Sequence, residues 1–411
     1  MKETKFKPSE LGAIPEDWVE GIFSDFLATF SSGATPYRGI PQYFKGDVRW
    51  ITSGELNYTT IFDTKEHISN DAVRNTHLQI HKPGTFLMAI TGLEAEGTRG
   101  RCAMVGLPST TNQSCLAING TEKMGTSYLY YFYRYWADTL AFKFCQGTKQ
   151  MSYTAKMVKK FPIYAPKEVN EQSRIASALS SIDNLLASLD KLIAKKQAIK
   201  QGAMQQLLTG KKRLKGFAEM WVEVKIGNVG SLLNTTINPQ MTPNNLYHEY
   251  SMPAFDEGKH PIITQGQDMH SSRFAIKGEV LLVNKLNVRQ KRIWYVHCCM
   301  QNSLCSMEFL PFISSKVDLK FLHYLLLTNK IVEDFKDMSK GTSNSQKRIV
   351  PNDFLEYKVV IPNNISEQRA IASVLTSMDN ELAALTAKKQ KYAAIKQGMM
   401  QQLLTGKIRL I

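Results

Sequence analysis

Two long segments of the chain show the hydrophobic spacing of helices that pack along a narrow seam. In residues 171–214 and 367–410, apolar residues recur at alternating intervals of four and three, which places them on one stripe of an α-helix. A surface helix on a globular core would show a similar stripe, but two matching copies favour helices that pack on each other. The seam positions are Ile175, Leu179, Ile182, Leu186, Leu189 and Ile193 in the first segment, and Ile371, Leu375, Met378, Leu382 and Leu385 in the second.

The two segments are copies of each other. They align without a gap at an offset of 196 residues, and 28 of 44 positions are identical, which indicates an internal duplication. Asn170 and Ser366 stand at equivalent positions as expected N-caps, and Gly210 and Gly406 stand as expected C-terminal caps. The second copy departs from the seam at Lys389, where an apolar residue is expected.

Each copy follows a longer region with a different pattern. Short β-like runs such as 86–90 and 161–164 alternate with turn signals such as residues 82–84. The aromatic run 128–136 predicts a helix that residues 319–327 repeat, and we expect these side chains to form core rather than base-stacking platforms. The sequence therefore predicts a mixed α/β (α+β) fold class with an internal repeat. The expected boundaries are 1–170 and 216–366 for the variable domains, and 171–215 and 367–411 for the helical regions.

The net charge of the chain indicates which class of partner it binds. Lys and Arg outnumber Asp and Glu by 51 to 36, a formal net charge of +15, which favours nucleic acid or an acidic membrane surface. Two thirds of the excess lies on the helical repeats, since residues 171–216 carry nine basic and three acidic side chains and residues 367–411 carry seven and three. The opening residues lack the apolar run of a signal peptide, and no stretch approaches the roughly 18 apolar residues of a membrane span. A soluble, cytoplasmic protein is expected.

The sequence lacks the motifs of enzymes that act on DNA. No two glycines are separated by one residue, and the Asn-Pro pair at 238–239 is not followed by a second proline, so the motifs of an adenine methyltransferase are missing. A complete phosphate-binding loop is missing as well. His77 and His81 have i,i+4 spacing in an expected strand region, but no glutamate follows His77 as in zinc proteases. Six cysteines without a Cys-x-x-Cys pair are expected to be reduced and mostly buried. We expect no catalytic residue, no metal site and no cofactor bound by this chain.

Both variable regions contain clusters suited to contacts with DNA. Loops that combine Asn, Gln, Ser and Thr with Arg or Lys can supply phosphate contacts and hydrogen bonds to base edges. The residues expected to contact DNA are Thr52, Ser53, Arg99, Arg101, Lys149, Gln150 and Ser152 in the first region, and Lys285, Asn287, Arg289, Arg292, Ser343, Asn344, Gln346 and Arg348 in the second.

Taken together, these features resemble the specificity (S) subunit of a Type I restriction–modification system, over essentially the whole chain. The opening LGAIPEDWVEG, the stretch SGATPYRGIPQYFKGDVRWITSGEL at 32–56 and the tract NQSCLAI at 112–118 look like the target-recognition domains of that family. The segments EQSRIASALSSID and KQGAMQQLLTGKKRL, with their second copies, look like its conserved helical regions. The second variable region departs from the pattern because it lacks the full TP…W-x-TSG stretch.

The resemblance implies two target-recognition domains held apart by two long antiparallel coiled-coil helices, related by a pseudo-twofold axis. Each domain would read one half of a bipartite DNA target, which would be asymmetric because the two domains differ in sequence. The implied partners are double-stranded DNA, two methyltransferase (M) subunits and restriction (R) subunits. The M subunits would bring S-adenosylmethionine for N6-adenine methylation, and the R subunits would bring ATP and Mg.

Two other functions stay open at this point. The chain could be the recognition chain of a related Type II-like system, in which one partner fuses cleavage and methylation, and the sequence of that partner would distinguish the two. It could also be a coiled-coil scaffold whose variable domains bind proteins, and then no salt-sensitive DNA binding is expected.

Overall fold

The chain divides into two compact units. The first is formed by two separate stretches of the sequence and the second by one continuous stretch. Unit 1 comprises residues 1–190 and 388–411, and unit 2 comprises residues 191–387. Each unit therefore contains one variable domain, the beginning of the helix that follows it and the end of the other repeat helix. The computed structural model describes residues 4–93, 98–145, 151–341 and 346–411, and none of the helices in these ranges is long and apolar enough to cross a membrane.

Unit 1 is built around a five-stranded sheet. Its strands are β1 Phe6–Ser9, β2 Gly12–Pro15, β3 Trp18–Ile22, β4 Leu27–Ser32, β5 Val48–Ile51, β6 Thr60–Ile61, β7 His67–Ile68, β8 Phe86–Ala89, β9 Cys102–Val105, β10 Ser109–Thr111, β11 Cys115–Gly120 and β12 Pro162–Pro166. Its helices are α1 Phe23–Phe26, α2 Asn70–Asn75, α3 Thr126–Phe144, α4 Ala155–Val158 and the start of α5 Val169–Leu207. The central sheet has the order β4-β11-β8-β9-β6, and β8 pairs antiparallel with both of its neighbours. Smaller sheets have the orders β10-β5-β7, β12-β3 and β1-β2.

The aromatic helix α3 closes the core of unit 1. Tyr133 packs edge-on against Phe86 of β8 with ring centroids 5.5 Å apart, and Phe132 packs against Tyr164 of β12 at 5.2 Å. All four side chains are buried. The predicted helix is confirmed, and its aromatic run serves as core.

Unit 2 repeats the architecture of unit 1. Its strands are β13 Trp221–Lys225, β14 Ser231–Leu232, β15 Thr236–Ile237, β16 Leu246–Tyr250, β17 Ile262–Gln265, β18 Arg273–Ala275, β19 Val280–Asn284, β20 Ile293–Val296, β21 Ser303–Ser306, β22 Phe309–Ile313 and β23 Lys358–Pro362. Its helices are α6 Ile226–Val229, α7 Met252–Asp256, α8 Leu319–Leu326, α9 Asn329–Met338, α10 Pro351–Glu356 and the start of α11 Ile365–Leu403. The order β14-β22-β19-β20 matches β4-β11-β8-β9 of unit 1, with β19 in the place of β8, and β13-β23 matches β3-β12. A second sheet has the order β15-β18-β21-β16-β17.

The ends of the repeat helices correct one prediction and confirm another. Asn170 and Ser366, which we predicted as N-caps, lie inside the first turns of α5 and α11. At the start of α11 the capping side chain is instead Asn364, whose Oδ1 accepts the N–H of Ser366 at 2.8 Å. Gly210 and Gly406 have φ values of +69° and +68°, the left-handed conformation that glycine adopts without a Cβ clash. The glycine caps are therefore confirmed.

Within each unit, the start of one repeat helix pairs with the end of the other in the opposite direction. In unit 1, Asp183 of α5 binds Lys396 of α11, and Asp190 binds Lys389 at 2.5 Å, so the partner number falls as the α5 number rises. Lys389, which interrupts the predicted seam, makes an ion pair instead. In unit 2, Lys200 binds Asp379 and Lys196 binds Glu381, and the first of these pairs is the counterpart of Asp183 with Lys396.

The first seam residues of each helix enter the core of their own unit. Ile175 and Leu179 belong to the buried cluster that includes α3, and Ile371 and Leu375 belong to the equivalent cluster around α8. The later seam positions are partly or fully buried. The N-terminal part of each seam therefore packs against the variable domain, and the rest packs along the helices.

The histidines and cysteines lie in different environments. The expectation that both histidines lie in a strand region is wrong for His77, which lies in the turn after α2, whereas His81 forms an isolated β-bridge with Ser109. His81 is buried, and burial lowers its pKa. The six cysteines are thiols and form no disulfide; three are buried, which raises the pKa of their thiols, while Cys298 is exposed. Among the described residues, no three His, Cys, Asp or Glu side chains are placed to hold a metal ion.

Candidate nucleic-acid interface

In unit 1, segments that carry the predicted DNA contacts meet at the end of the central sheet where its middle strand, β8, terminates. The N–H of Ile90 donates to the carbonyl oxygen of Ser114 at 2.9 Å, and the N–H of Tyr153 donates to that of Ile90 at 2.8 Å. On the other side, the N–H of Ala89 donates to the carbonyl oxygen of Arg101 at 2.9 Å. We call this edge rim 1 and define it as residues 51–53, 89–93, 98–101, 112–114 and 151–153.

Thr52 and Ser53 occupy one end of rim 1. The N–H of Asn112 donates to the carbonyl oxygen of Ile51 at 2.9 Å, which ties their segment to the rest of the rim. The N–H and hydroxyl of Thr52 both donate to Oε2 of Glu55, at 2.9 and 2.8 Å. The backbone of this turn is thereby held, while the side chain of Ser53 is partly exposed.

The predicted basic side chains lie at the other end of rim 1. Nε of Arg99 donates to the carbonyl oxygen of Leu93 at 3.3 Å, and Arg101 and Ser152 are partly buried. The predicted contacts Lys149 and Gln150 lie outside the described residues. The structure therefore brings five of the seven predicted residues of unit 1 to one edge.

The loop between β4 and β5 adds a candidate that sequence reasoning missed. The hydroxyl of Thr35 donates to Oε1 of Gln113 at 2.6 Å, which attaches this loop to rim 1. At the turn that follows, Tyr37 is 73% exposed, and its ring packs over the backbone of Gly39. An exposed aromatic ring of this kind can stack on a base or a sugar. The sequence signal is an aromatic residue between Pro and Arg in a glycine-containing loop, which composition alone does not separate from other surface residues.

We expect Gly33→Ala to displace this loop. A Cβ at Gly33 would collide with the carbonyl oxygen and hydroxyl of Thr111, both in the sheet framework, and overpacking of this kind typically costs about 1–3 kcal/mol. Gly54→Ala is the matched control, because the nearest atom to its Cβ would be Oγ1 of Thr52 at 4.0 Å. Hydrogen exchange should rise in residues 33–40 of the first variant only. Equal exchange in the two variants would contradict the expectation.

In unit 2, the predicted contacts meet at the equivalent edge, where β19 ends. The N–H of Lys285 donates to the carbonyl oxygen of Glu308, and the N–H of Ile349 donates to that of Lys285, both at 2.9 Å. The N–H of Asn287 donates to the carbonyl oxygen of Lys347 at 3.0 Å. We call this edge rim 2 and define it as residues 284–292, 306–308, 340–341 and 346–349.

Two predicted arginines of rim 2 are held by carboxylates. Arg348 donates two hydrogen bonds to Glu308 at 3.1 and 2.9 Å, and Arg292 donates two to Asp256 at 2.9 and 2.6 Å. These hydrogen bonds raise the pKa of both guanidinium groups and lower the pKa of Asp256. The guanidinium group of arginine is a fork of N–H donors, and a fork that binds a carboxylate with two parallel hydrogen bonds also fits a phosphate or a guanine edge. Glu308 and Asp256 therefore hold the forks in place and would compete with DNA for them.

The other described residues of unit 2 that we predicted to contact DNA are two basic and two neutral polar side chains. Lys285, Asn287 and Arg289 follow β19, and Gln346 precedes α10. Lys285 and Asn287 are partly buried, Arg289 and Gln346 are exposed, and Ser343 and Asn344 lie outside the described residues.

The chain matches one protein family over most of its length. The family model described as Type I restriction modification DNA specificity domain matches residues 15–201 and 218–397. The MjaIX specificity subunit of a type I restriction enzyme from Methanocaldococcus jannaschii is 31% identical over 193 residues, which are 46% of this chain and 43% of that protein. The putative MjaX specificity subunit from the same organism is 25% identical over 435 residues, covering 100% of this chain and 98% of the relative. The first alignment spans less than half of its relative, and the second spans nearly all of it.

A solved structure shows the same fold. The crystal structure of the S subunit of a Type-I restriction-modification system from M. genitalium superposes with a TM-score of 0.61 at 14% sequence identity, covering 97% of this chain and 98% of that one. At this identity the similarity concerns the fold alone.

Proposed function

Because the chain belongs to the family of Type I restriction–modification DNA specificity proteins, we propose that rim 1 and rim 2 each read one half of a bipartite DNA target. As a member of this family the chain is a DNA-recognition component and not an enzyme. The observation that carries the proposal is the equivalence of the two rims, which lie at matching edges of matching sheets. Their side chains differ, since rim 2 has the paired forks of Arg292 and Arg348 and rim 1 has the turn at Thr52. The two half-sites should therefore differ, and the target should be asymmetric.

The repeat helices would hold the two recognition domains apart as an antiparallel coiled coil with a pseudo-twofold axis. This part of the proposal is supported by the pairs Asp183–Lys396 and Lys200–Asp379, whose members correspond at the 196-residue offset of the repeat. A twofold arrangement presents equivalent surfaces to two half-sites, as dimeric DNA-binding proteins do.

Two M subunits would dock on the repeat helices. The helical regions are the most similar parts of the two halves, so two identical partners could bind them in the same way, whereas the variable domains offer them unlike surfaces. S-adenosylmethionine would then be bound by the M subunits, and ATP and Mg by R subunits that join the complex. This chain would bind no cofactor itself and would act on DNA in the cytoplasm.

The proposed function is tested with the full chain co-expressed with its methyltransferase partner. Methylome sequencing should reveal two unlike half-sites around a spacer of fixed length. Duplexes with that target should then shift in a gel, with an affinity that falls roughly 10³–10⁵-fold between 50 and 200 mM salt if about 6–10 phosphates are contacted. A protein-binding scaffold would show no salt-sensitive binding, and that result would overturn the proposal. The sequence of the partner distinguishes separate M and R subunits from a fused Type II-like enzyme.

Arg348→Ala is expected to relax one position of the half-site read by unit 2. If the fork leaves Glu308 to bind a guanine with two hydrogen bonds, its loss should cost about 1–3 kcal/mol of discrimination at that base pair. Binding competition between duplexes that differ at single positions measures this effect, and Glu308→Gln is the companion variant, because it should free the fork and raise affinity. Equal weakening on all sequences would instead assign Arg348 to a phosphate.

A further inference from the structure

An aspartate in the first half of α5 joins three elements of unit 1. Asp183 accepts hydrogen bonds from the hydroxyl of Tyr131 and from Nη1 of Arg134, both on α3 and both at 3.0 Å. Its other oxygen binds Lys396 near the end of α11. The variable domain and both repeat helices of the unit are therefore linked through one carboxylate. We call Tyr131, Arg134, Asp183 and Lys396 clamp 1.

Unit 2 contains an equivalent but smaller cluster. Asp379 of α11 accepts a hydrogen bond from the hydroxyl of Tyr324 on α8 at 2.7 Å and binds Lys200 near the end of α5. We call these three residues clamp 2. When residues 128–135 of α3 are aligned with 321–328 of α8, Leu327 stands where clamp 1 has its arginine. Clamp 2 therefore has one cation fewer than clamp 1.

The two clamps also differ in their exposure to solvent. The lysine of clamp 1 is 11% exposed and its arginine 14%, whereas the lysine of clamp 2 is 21% exposed. The burial of Lys396 lowers its pKa. Charge-assisted hydrogen bonds are stronger and more directional where solvent is excluded. We therefore expect clamp 1 to hold α3 on its helices more firmly than clamp 2 holds α8.

We propose that the clamps are positioning devices for DNA reading, and that clamp 2 is the joint at which the protein tolerates a change in spacer length. Each clamp would set the pose of its recognition domain on the helix segments of its own unit. Because Asp183 keeps a second link to α3 through Arg134, the pose in unit 1 should survive the loss of one hydroxyl. In clamp 2, Asp379 is linked to α8 through the hydroxyl of Tyr324, which also lies 3.2 Å from Oγ1 of Thr376 on α11. This inference rests on the proposed function, since it presupposes two half-sites at a set distance.

The test compares Tyr131→Phe with Tyr324→Phe, which remove the same hydroxyl from the two clamps. Each full-length variant is co-expressed with the methyltransferase partner, and its affinity is measured for duplexes with the preferred spacer and with one base pair more or less. We expect Tyr324→Phe to reduce the preference for the correct spacer by about tenfold, the order of one hydrogen bond to a charged group. Tyr131→Phe should change this preference by less than about threefold. Half-site bases should stay the same in both variants, because the rims are untouched.

A third variant tests the role of the arginine itself. Arg134→Leu makes clamp 1 like clamp 2, so adding Tyr131→Phe to it should now loosen spacer preference as Tyr324→Phe does. Asp379→Asn, which keeps the acceptor and removes its charge, provides a second measurement in unit 2. Unchanged spacer preference in Tyr324→Phe and Asp379→Asn, or equal changes from the two tyrosine variants, would refute the proposal. If the unaltered chain shows no sequence-specific binding, the proposed function fails instead.

Discussion

Replacing Arg409 with methionine is expected to lower the free energy of unfolding of unit 1 by about 3 kcal/mol, the lower end of the range for breaking a buried ion pair. Arg409 donates two hydrogen bonds to Glu171, at 2.7 and 2.8 Å, and two to Asp17, at 2.8 and 2.7 Å. Glu171 is only 5% exposed, so the variant would leave its carboxylate buried without the opposite charge. The position of Glu171 in the first turn of α5 offsets part of the loss, because the N-terminus of a helix favours negative charge.

The difference in free energy of unfolding between Arg409→Met and the unaltered protein should become smaller at acidic pH. The hydrogen bond from Arg409 holds the pKa of Asp17 below its usual value. Asp17 therefore contributes stability that is fully present above the pKa of the unfolded chain and is lost as the pH falls through the lower folded pKa. The variant lacks this contribution at every pH. The free energies of unfolding of the two proteins should therefore come closer together at low pH.

Hydrogen exchange is the suitable measurement, because it reports on each unit separately. Arg213→Met is the matched variant in unit 2, where Arg213 donates two hydrogen bonds of 2.6 Å to the buried Glu367. Each variant should lose protection in its own unit. Asp17→Asn should cost much less than Arg409→Met, since the side chain of Asp17 is 62% exposed. Normal protection of unit 1 in Arg409→Met would show that Glu171 does not depend on its partner.

The repeat helices could be predicted because their signals are local in the sequence. A heptad spacing and a terminal glycine act within one or two turns, so Gly210 and Gly406 are the caps that the pattern indicates. The start of α11 was missed by two residues, because Ser366 and Asn364 are both good capping residues and only the backbone decides between them.

The candidate site was predictable in its residue types but not in its pairing. Arg348 and Arg292 were identified from composition, yet their partners Glu308 and Asp256 lie 40 and 36 residues away in sequence. Contacts of that separation depend on the tertiary fold, which no local pattern specifies. The exposure of Tyr37 likewise depends on how its loop is anchored, through contacts that a single sequence does not reveal.

A heptad inserted into each repeat helix is expected to lengthen the preferred DNA spacer by about three base pairs. The insertion points are between residues 190 and 191 and between residues 387 and 388, where the chain passes from one unit to the other. Seven residues preserve the phase of the seam and add about 10 Å at ~1.5 Å per residue, which is close to three base pairs at ~3.4 Å each. Because both members of every ion pair described for the helices stay within one unit, the two clamps remain intact.

The helical twist of the duplex limits how tightly the lengthened protein can bind. Three base pairs also rotate one half-site by roughly 100° relative to the other in a turn of 10–10.5 base pairs, so affinity should fall even at the new optimum. The half-sites themselves should be unchanged, because rims 1 and 2 are untouched. Methylome sequencing of the double-insertion variant measures both the half-site bases and the spacer length. A heptad in α11 alone is the control, since one lengthened helix cannot keep both sets of ion pairs in register and should lose specific binding. An active double-insertion variant with the original spacer would mean that the helices do not set the distance. In that case the recognition domains, rather than the helices, would determine the spacer.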